Sequence, residues 1–196
     1  AACCTQNVIM TTLEGYRIVE HVISTKQEHL LQRLNDIGHQ NRLRPAVTTN
    51  ELADLCMQGK DTPEEGDNLP LLACPFLADK ECLVYPARPF GCRCFFSTQK
   101  CDETACAVVE PFLVSVNTAF LQFIEHVDVG GLFGNMTDVL LFLQSQNSRK
   151  QYEANAILNH PPELSTNRSI PALLVPPEHR DRIEPLLHKI RNIRLA

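Results

Sequence analysis

Apolar residues recur at helical spacing in two N-terminal stretches: Ile18, Val19, Val22 and Ile23 form one stripe, and Leu30, Leu31, Leu34 and Ile37 continue it to Gly38, a fitting helix end. Ser24-Thr25 interrupts the stripe and allows two helices in place of one. Thr11-Thr12-Leu13-Glu14 has the form of a capping box, which places the first helix start there. A shorter helix is expected over 49–58, with Leu52, Leu55 and Cys56 on its inner face and Gly59 closing it. Behind Glu110-Pro111, the positions Phe112, Leu113, Val116, Ala119, Phe120, Phe123, Ile124 and Val127 read as the wide apolar face of a core helix. Helices over 136–146, 149–158 and 178–193 complete the set, the last with Ile183, Leu186, Leu187 and Ile190 on one side.

Between these helical stretches the pattern changes. Residues 60–70 are a polar breaker segment, and 71–77 and 81–85 are short strand-like runs around Ala78-Asp79-Lys80. They predict a hairpin with Cys74 on one arm and Cys82 on the other, closed near Tyr85. Pro86, Pro89 and Gly91 then turn the chain back with Cys92 and Cys94. Gly130-Gly131-Leu132-Phe133-Gly134 lacks the context of a phosphate loop and reads as an interhelical turn, and the prolines of 160–177 mark an extended connector. The expected fold is mainly α: a single domain over 1–196, with a helical part over 107–196 and a small cysteine-rich hairpin and loop metal-binding region in its 1–106 part.

Composition narrows the function. The 196 residues are 44% hydrophobic and 21% charged, enough for a real core, and the net charge of −5 lacks the basic footprint of a nucleic-acid binder. No apolar run reaches the roughly 18 to 20 residues of a membrane span. His21, Glu125 and His126 form no HExxH pattern and read as structural.

The nine cysteines carry the chemistry, because six of them, Cys74, Cys82, Cys92, Cys94, Cys101 and Cys106, crowd into 33 residues, with Cys3 and Cys4 adjacent at the start. Such crowding means disulfides in an oxidising compartment or thiolate ligation of a metal in a reducing one. A chain able to build a core needs no staples, and the odd total with an adjacent pair fits a disulfide framework poorly, so ligation is the favoured reading. The spacing Cys74-x7-Cys82-x9-Cys92-x-Cys94 belongs to no standard zinc finger or ferredoxin run.

Cys74-Pro75-Phe76-Leu77, Cys82-Leu83-Val84-Tyr85, Arg88-Pro89 and Cys92-Arg93 resemble the C-P-F-L…C-x-x-Y-x-x-R-P-x-x-C-R block of the YkgJ-type cysteine-cluster family, zinc- or iron-chelating proteins that include the flagellin lysine N-methylase FliB. Cys3-Cys4, followed by Val8, Ile9 and Thr12-Leu13-Glu14, is similar to the end of that family's CxxCxxCC motif and the helix after it. The resemblance spans about residues 1–106 and implies that Cys3, Cys4, Cys74, Cys82 and Cys92 are metal ligands. The motif's first two cysteines have no counterpart after Ala1: either an upstream Cys-x-x-Cys precedes this sequence or the chain does without it.

Setting Cys56 aside as a core residue leaves eight thiols, enough for two tetrathiolate sites: Cys74, Cys82 and Cys92 with Cys3 or Cys4, and Cys94, Cys101 and Cys106 with the other. A single site with spare cysteines is the alternative. Thiolates suit zinc and iron–sulfur clusters alike; the excess over four favours a cluster, 4Fe–4S first, with zinc second. Phe76, Phe90, Phe95 and Phe96 would keep water away, and Arg88 and Arg93 would donate hydrogen bonds to cluster sulfurs from outside the ligand set, the alternative being solvated arginines. The expected function is a cluster-dependent redox protein or accessory to protein modification, with a protein partner or substrate, in the cytoplasm or another reducing compartment. A zinc-stabilised interaction module and a secreted disulfide-linked structural protein are the alternatives.

Overall fold

In the computed structural model of the chain, residues 4–63, 70–94, 97–99, 107–157 and 159–192 are described, Arg191 by its backbone alone. Thr11 ends strand β1 (Ile9–Thr11) and caps helix α1 (Thr12–Ser24). Its hydroxyl accepts the Glu14 N–H while the Glu14 carboxylate accepts the Thr11 N–H at 3.0 Å, so the capping box closes. The chain breaks after Ser24, where Lys26 takes a φ of +57°, and helix α2 (His29–Ile37) follows. The described residues are mainly helical, continuing with α3 (Thr49–Met57), α4 (Phe90–Cys94), α5 (Pro111–Val127), α6 (Met136–Gln144), α7 (Gln146–Glu153) and α8 (Arg180–Arg191).

The apolar stripes of α1 and α2 close on α6: Ile18, Val19, Val22, Leu30, Leu31 and Leu34 are buried with Val139, Leu140 and Leu143 in one core. Ile23, expected in the stripe, is 42% exposed at its edge. Phe76 and Val84 are also buried in this core, which anchors the cysteine-bearing segment to the helices. Among the described residues no helix is long and apolar enough to cross a membrane.

Four of the expected elements change. The glycine-rich segment after α5 is no mere turn, because Leu132–Asn135 forms strand β4, buried at all four residues. It lies between β1 and β5 (Ser165–Thr166) in an antiparallel sheet, pairing Met10 with Gly134 and Phe133 with Ser165. Gly134 belongs there because a Cβ would stand 2.5 Å from Cδ2 of Leu164, so only a bare backbone lets the connector pack against the strand. Next, α7 begins at Gln146, where the Ser145 hydroxyl accepts the Ser148 N–H, and it ends at Glu153, short of the expected 158.

Helix α5 turns a polar stripe inward. Ser115, Ala119, Gln122 and Glu125 are its buried positions, whereas the expected apolar face, apart from Ala119, is only partly covered and Val127 is 63% exposed. The cause is a hydrogen-bond network that holds α3 and the extended connector. Glu125 accepts the N–H groups of Asn50 and Arg168 at 2.8 and 2.9 Å, and Gln122 bonds the Asn50 side chain, the Ala172 carbonyl and the Leu174 N–H. Cys56 is likewise exposed rather than buried, since α3 buries only Asn50 and Ala53.

Candidate functional site

The site is assembled by the N-terminal segment, a hairpin and helix α4. Side chains pin the first segment down. Gln6, fully buried, donates to the Asn41 carbonyl at 2.8 Å, Asn135 donates to the Gln6 carbonyl at 3.0 Å, and Asn7 bonds Pro70 and Leu43. Residues 4–6 then run antiparallel beside 72–74: Cys74 N–H donates to the Cys4 carbonyl at 2.9 Å, Gln6 N–H donates to the Leu72 carbonyl at 2.9 Å, and Thr5 bridges Ala73. Cys4 and Cys74 are thereby held side by side.

The hairpin is tighter than the sequence implies. Its strands are β2 (Leu77–Ala78) and β3 (Glu81–Cys82), joined by Asp79 and Lys80, both with positive φ, as a two-residue type I′ turn requires. Leu77 pairs with Cys82, and Cys74 stands three residues before the first strand. A single 3₁₀ turn at Tyr85–Ala87 then leads into α4, which carries Cys92. Cys92 and Cys94 lie on one helical turn rather than an extended arm. Two residues there are about 200° apart, so the two thiols face different sides.

Cys4, Cys74, Cys82 and Cys92 line one cavity of about 470 Å³, together with Lys80, Glu81, Tyr85 and Arg88. Cys74, Cys82 and Cys92 carry free thiols. Burial pushes the Cys74 thiol up to about 11, against the pull of the Phe76 and Leu77 N–H groups on its sulfur. The Cys92 thiol is pushed up to about 12, first by burial and then by Cys74, Cys82 and Cys4, while Arg88 pulls the other way. The cavity thus holds sulfur donors that disfavour negative charge until a cation enters. Among the described residues, no group of three or more His, Cys, Asp or Glu is gathered closely enough to hold a single metal ion.

Arg88 borders the cavity with its Nε buried and without a hydrogen-bond partner, and its guanidinium lies over the Tyr85 ring at 3.9 Å. Arg93 faces elsewhere, donating to the Arg88 and Pro86 carbonyls at 3.0 and 2.9 Å. Cys94 sits outside the cavity with its thiol on the Gly91 carbonyl, and burial raises its pKa. Phe76 is core and Phe90 stacks on Phe120 at 5.5 Å between centroids. Cys3, Cys101, Cys106, Phe95 and Phe96 lie outside the described residues. Lys80 and Glu81 are cavity residues that the sequence reading passed over, as was the Gln6-Asn7 pair that positions Cys4. Their signal was polarity beside an apolar strand.

No protein-family model matches the chain, and no curated protein or solved structure matches it either.

Proposed function

We propose that Cys4, Cys74, Cys82 and Cys92 hold an iron–sulfur cluster of the four-iron type, and that the chain is a cysteine-cluster protein of YkgJ type serving redox chemistry or the modification of another protein. The observation that carries this is one cavity bordered by four cysteines from three separate segments. Such a donor set, all sulfur and four in number, is the ligand complement of a cubane cluster.

The room in the cavity supports the larger centre. A tetrahedral zinc site needs only four sulfurs about 2.3 Å from one metal. Here the four cysteines and seven other residues line about 470 Å³. The neighbouring groups suit a sulfur-rich anion as well: the unpartnered Arg88 Nε can donate to a sulfide, the Phe76 and Leu77 N–H groups face the Cys74 sulfur, and Lys80 adds a second positive charge. Bound there, a cluster supplies one-electron transfer. The protein's own part is to hold the four sulfurs, half-bury Cys74 and Cys92 and offset the thiolate charge.

The test is anaerobic purification with iron, zinc and acid-labile sulfide counted per protomer, for the native chain and for Cys82→Ala. The proposal expects about four iron and four sulfide in the native chain, lost in the variant. One zinc without sulfide would replace the redox reading with a zinc-stabilised module, and neither metal would overturn both.

A further inference from the structure

A second pocket, of about 240 Å³, lies against the same Pro86–Arg88 turn and shares Arg88 with the cysteine cavity. We propose that it binds a carboxylate group carried on a short apolar stem. The inference does not depend on which metal the cysteines bind.

Three arginines, Arg17 from α1 with Arg88 and Arg93, are among the residues that line the pocket, together with the apolar Leu13, Phe90 and Ile124. Among the described residues none of the three is ion-paired to a carboxylate. Glu14, the one acid in the wall, is already taken: its carboxylate accepts the Thr11 N–H at 3.0 Å and the Phe90 N–H at 2.7 Å. Arg93 is held in place by the two carbonyls it bonds, and the Arg17 side chain makes no hydrogen bond among the described residues. Three cations against one committed acid leave the pocket a positive charge that an anion would offset.

The lining of the pocket bears on which anion it takes. A planar guanidinium fork matches a carboxylate or a phosphate through paired N–H donors. A phosphate would also recruit backbone N–H groups, and the one at the start of α4, Phe90 N–H, is already bonded to Glu14. The apolar lining accommodates a short hydrocarbon stem, and the volume excludes a large one. The carboxylate belongs either to a free small acid or to an acidic side chain of a protein partner.

Titration calorimetry at low salt tests this on the full chain, with butanoate, a short peptide bearing one glutamate, and inorganic phosphate as probes, for the native protein, Arg17→Gln and Arg17→Lys. Arg17 is exposed, so both variants should melt like the native chain. Saturable butanoate binding is expected, about tenfold weaker in Arg17→Gln and largely restored in Arg17→Lys. Tighter binding of the peptide than of butanoate would also support the site and assign the carboxylate to a protein partner; the reverse order assigns it to a free acid. No saturable binding, phosphate bound as tightly as either carboxylate, or an affinity unchanged in Arg17→Gln overturns the proposal.

Discussion

Glu125→Gln removes one negative charge from the centre of the network that turns α5 inward, and its cost follows from two hydrogen bonds. Glu125 is 0% exposed; one oxygen accepts the Asn50 N–H at 2.8 Å and the other the Arg168 N–H at 2.9 Å. Asn50 is the second residue of α3, so its N–H is among those a helix leaves without an internal partner, and Glu125 supplies the cap from another helix. Glutamine offers one acceptor oxygen and an NH₂ group that must face the second donor. One charge-assisted bond, about 1.5–3 kcal/mol, is lost, and a buried N–H is stranded at about 1–3 kcal/mol. Relief from burying a charge offsets part of this, leaving a net destabilisation of about 2–4 kcal/mol. For a chain of this size that lowers the melting temperature by about 4–16 °C at about 2–4 °C per kcal/mol. Calorimetry and urea unfolding measure the loss, and amide hydrogen exchange at Asn50 and Arg168 locates it. A fall of under about 2 °C with both amides still protected would refute the claim that Glu125 caps α3 and holds the connector.

Further outcomes follow from the same geometry. Gly131→Ala should destabilise by about 1–3 kcal/mol, since a Cβ there runs into the Thr12 hydroxyl and the Asp128 carboxylate, themselves bonded at 2.7 Å; an unchanged urea midpoint would contradict this. The metal-free, reduced chain should lose stability in alkali. The unfolded thiols ionise near 9.0, whereas burial holds Cys74 to about 11 and Cys92 to about 12. Between these values the folded state keeps protons that the unfolded state has released, so the stabilisation is whole below about pH 9 and is lost as pH rises through about 11 to 12. A melting temperature that stays level from about pH 8 to about pH 10.5, or a slope unchanged in Cys74→Ser/Cys92→Ser, would contradict the burial of these thiols. Arg88→Leu removes a cation beside the proposed cluster and should lower its reduction potential while the metal stays bound, and an unaltered potential in a redox titration would show that Arg88 does not face the centre.

Local signals in the sequence fared better than long-range ones. The capping box at Thr11 and Glu14, the break after Ser24 and the Asp79-Lys80 turn are settled within a few residues, and the structure places each as read. That Cys74, Cys82 and Cys92 come to one cavity was legible for the same reason, since the turns between them are short, although Cys74 lies before the hairpin and Cys94 outside the cavity. Strand β4 was hidden because its four residues include a glycine and no alternation, and its partners β1 and β5 are more than 30 residues away in either direction. The period of α5 misled outright. Its aromatic and branched residues form the larger stripe, yet Gln122 and Glu125 face inward because the connector's backbone needs their side chains, and Ser115 faces the His179 ring. Cys56 misled in a milder way: spacing placed it on an inner face, but the last two residues of α3, Cys56 and Met57, are exposed. The separation of Cys94 from Cys92 required knowing that the chain is helical there, which Pro89 and Gly91 concealed.

The central claim, that four particular cysteines share one cluster, is tested most directly by substituting each in turn. Iron, sulfide and the visible spectrum should be measured under anaerobic conditions for Cys4→Ala, Cys74→Ala, Cys82→Ala and Cys92→Ala, with Cys56→Ala, exposed on α3, as the control. The account predicts that each of the four variants loses the cluster while the control keeps the native iron and sulfide content. A full cluster retained in any one of the four, or lost in the control, would contradict it.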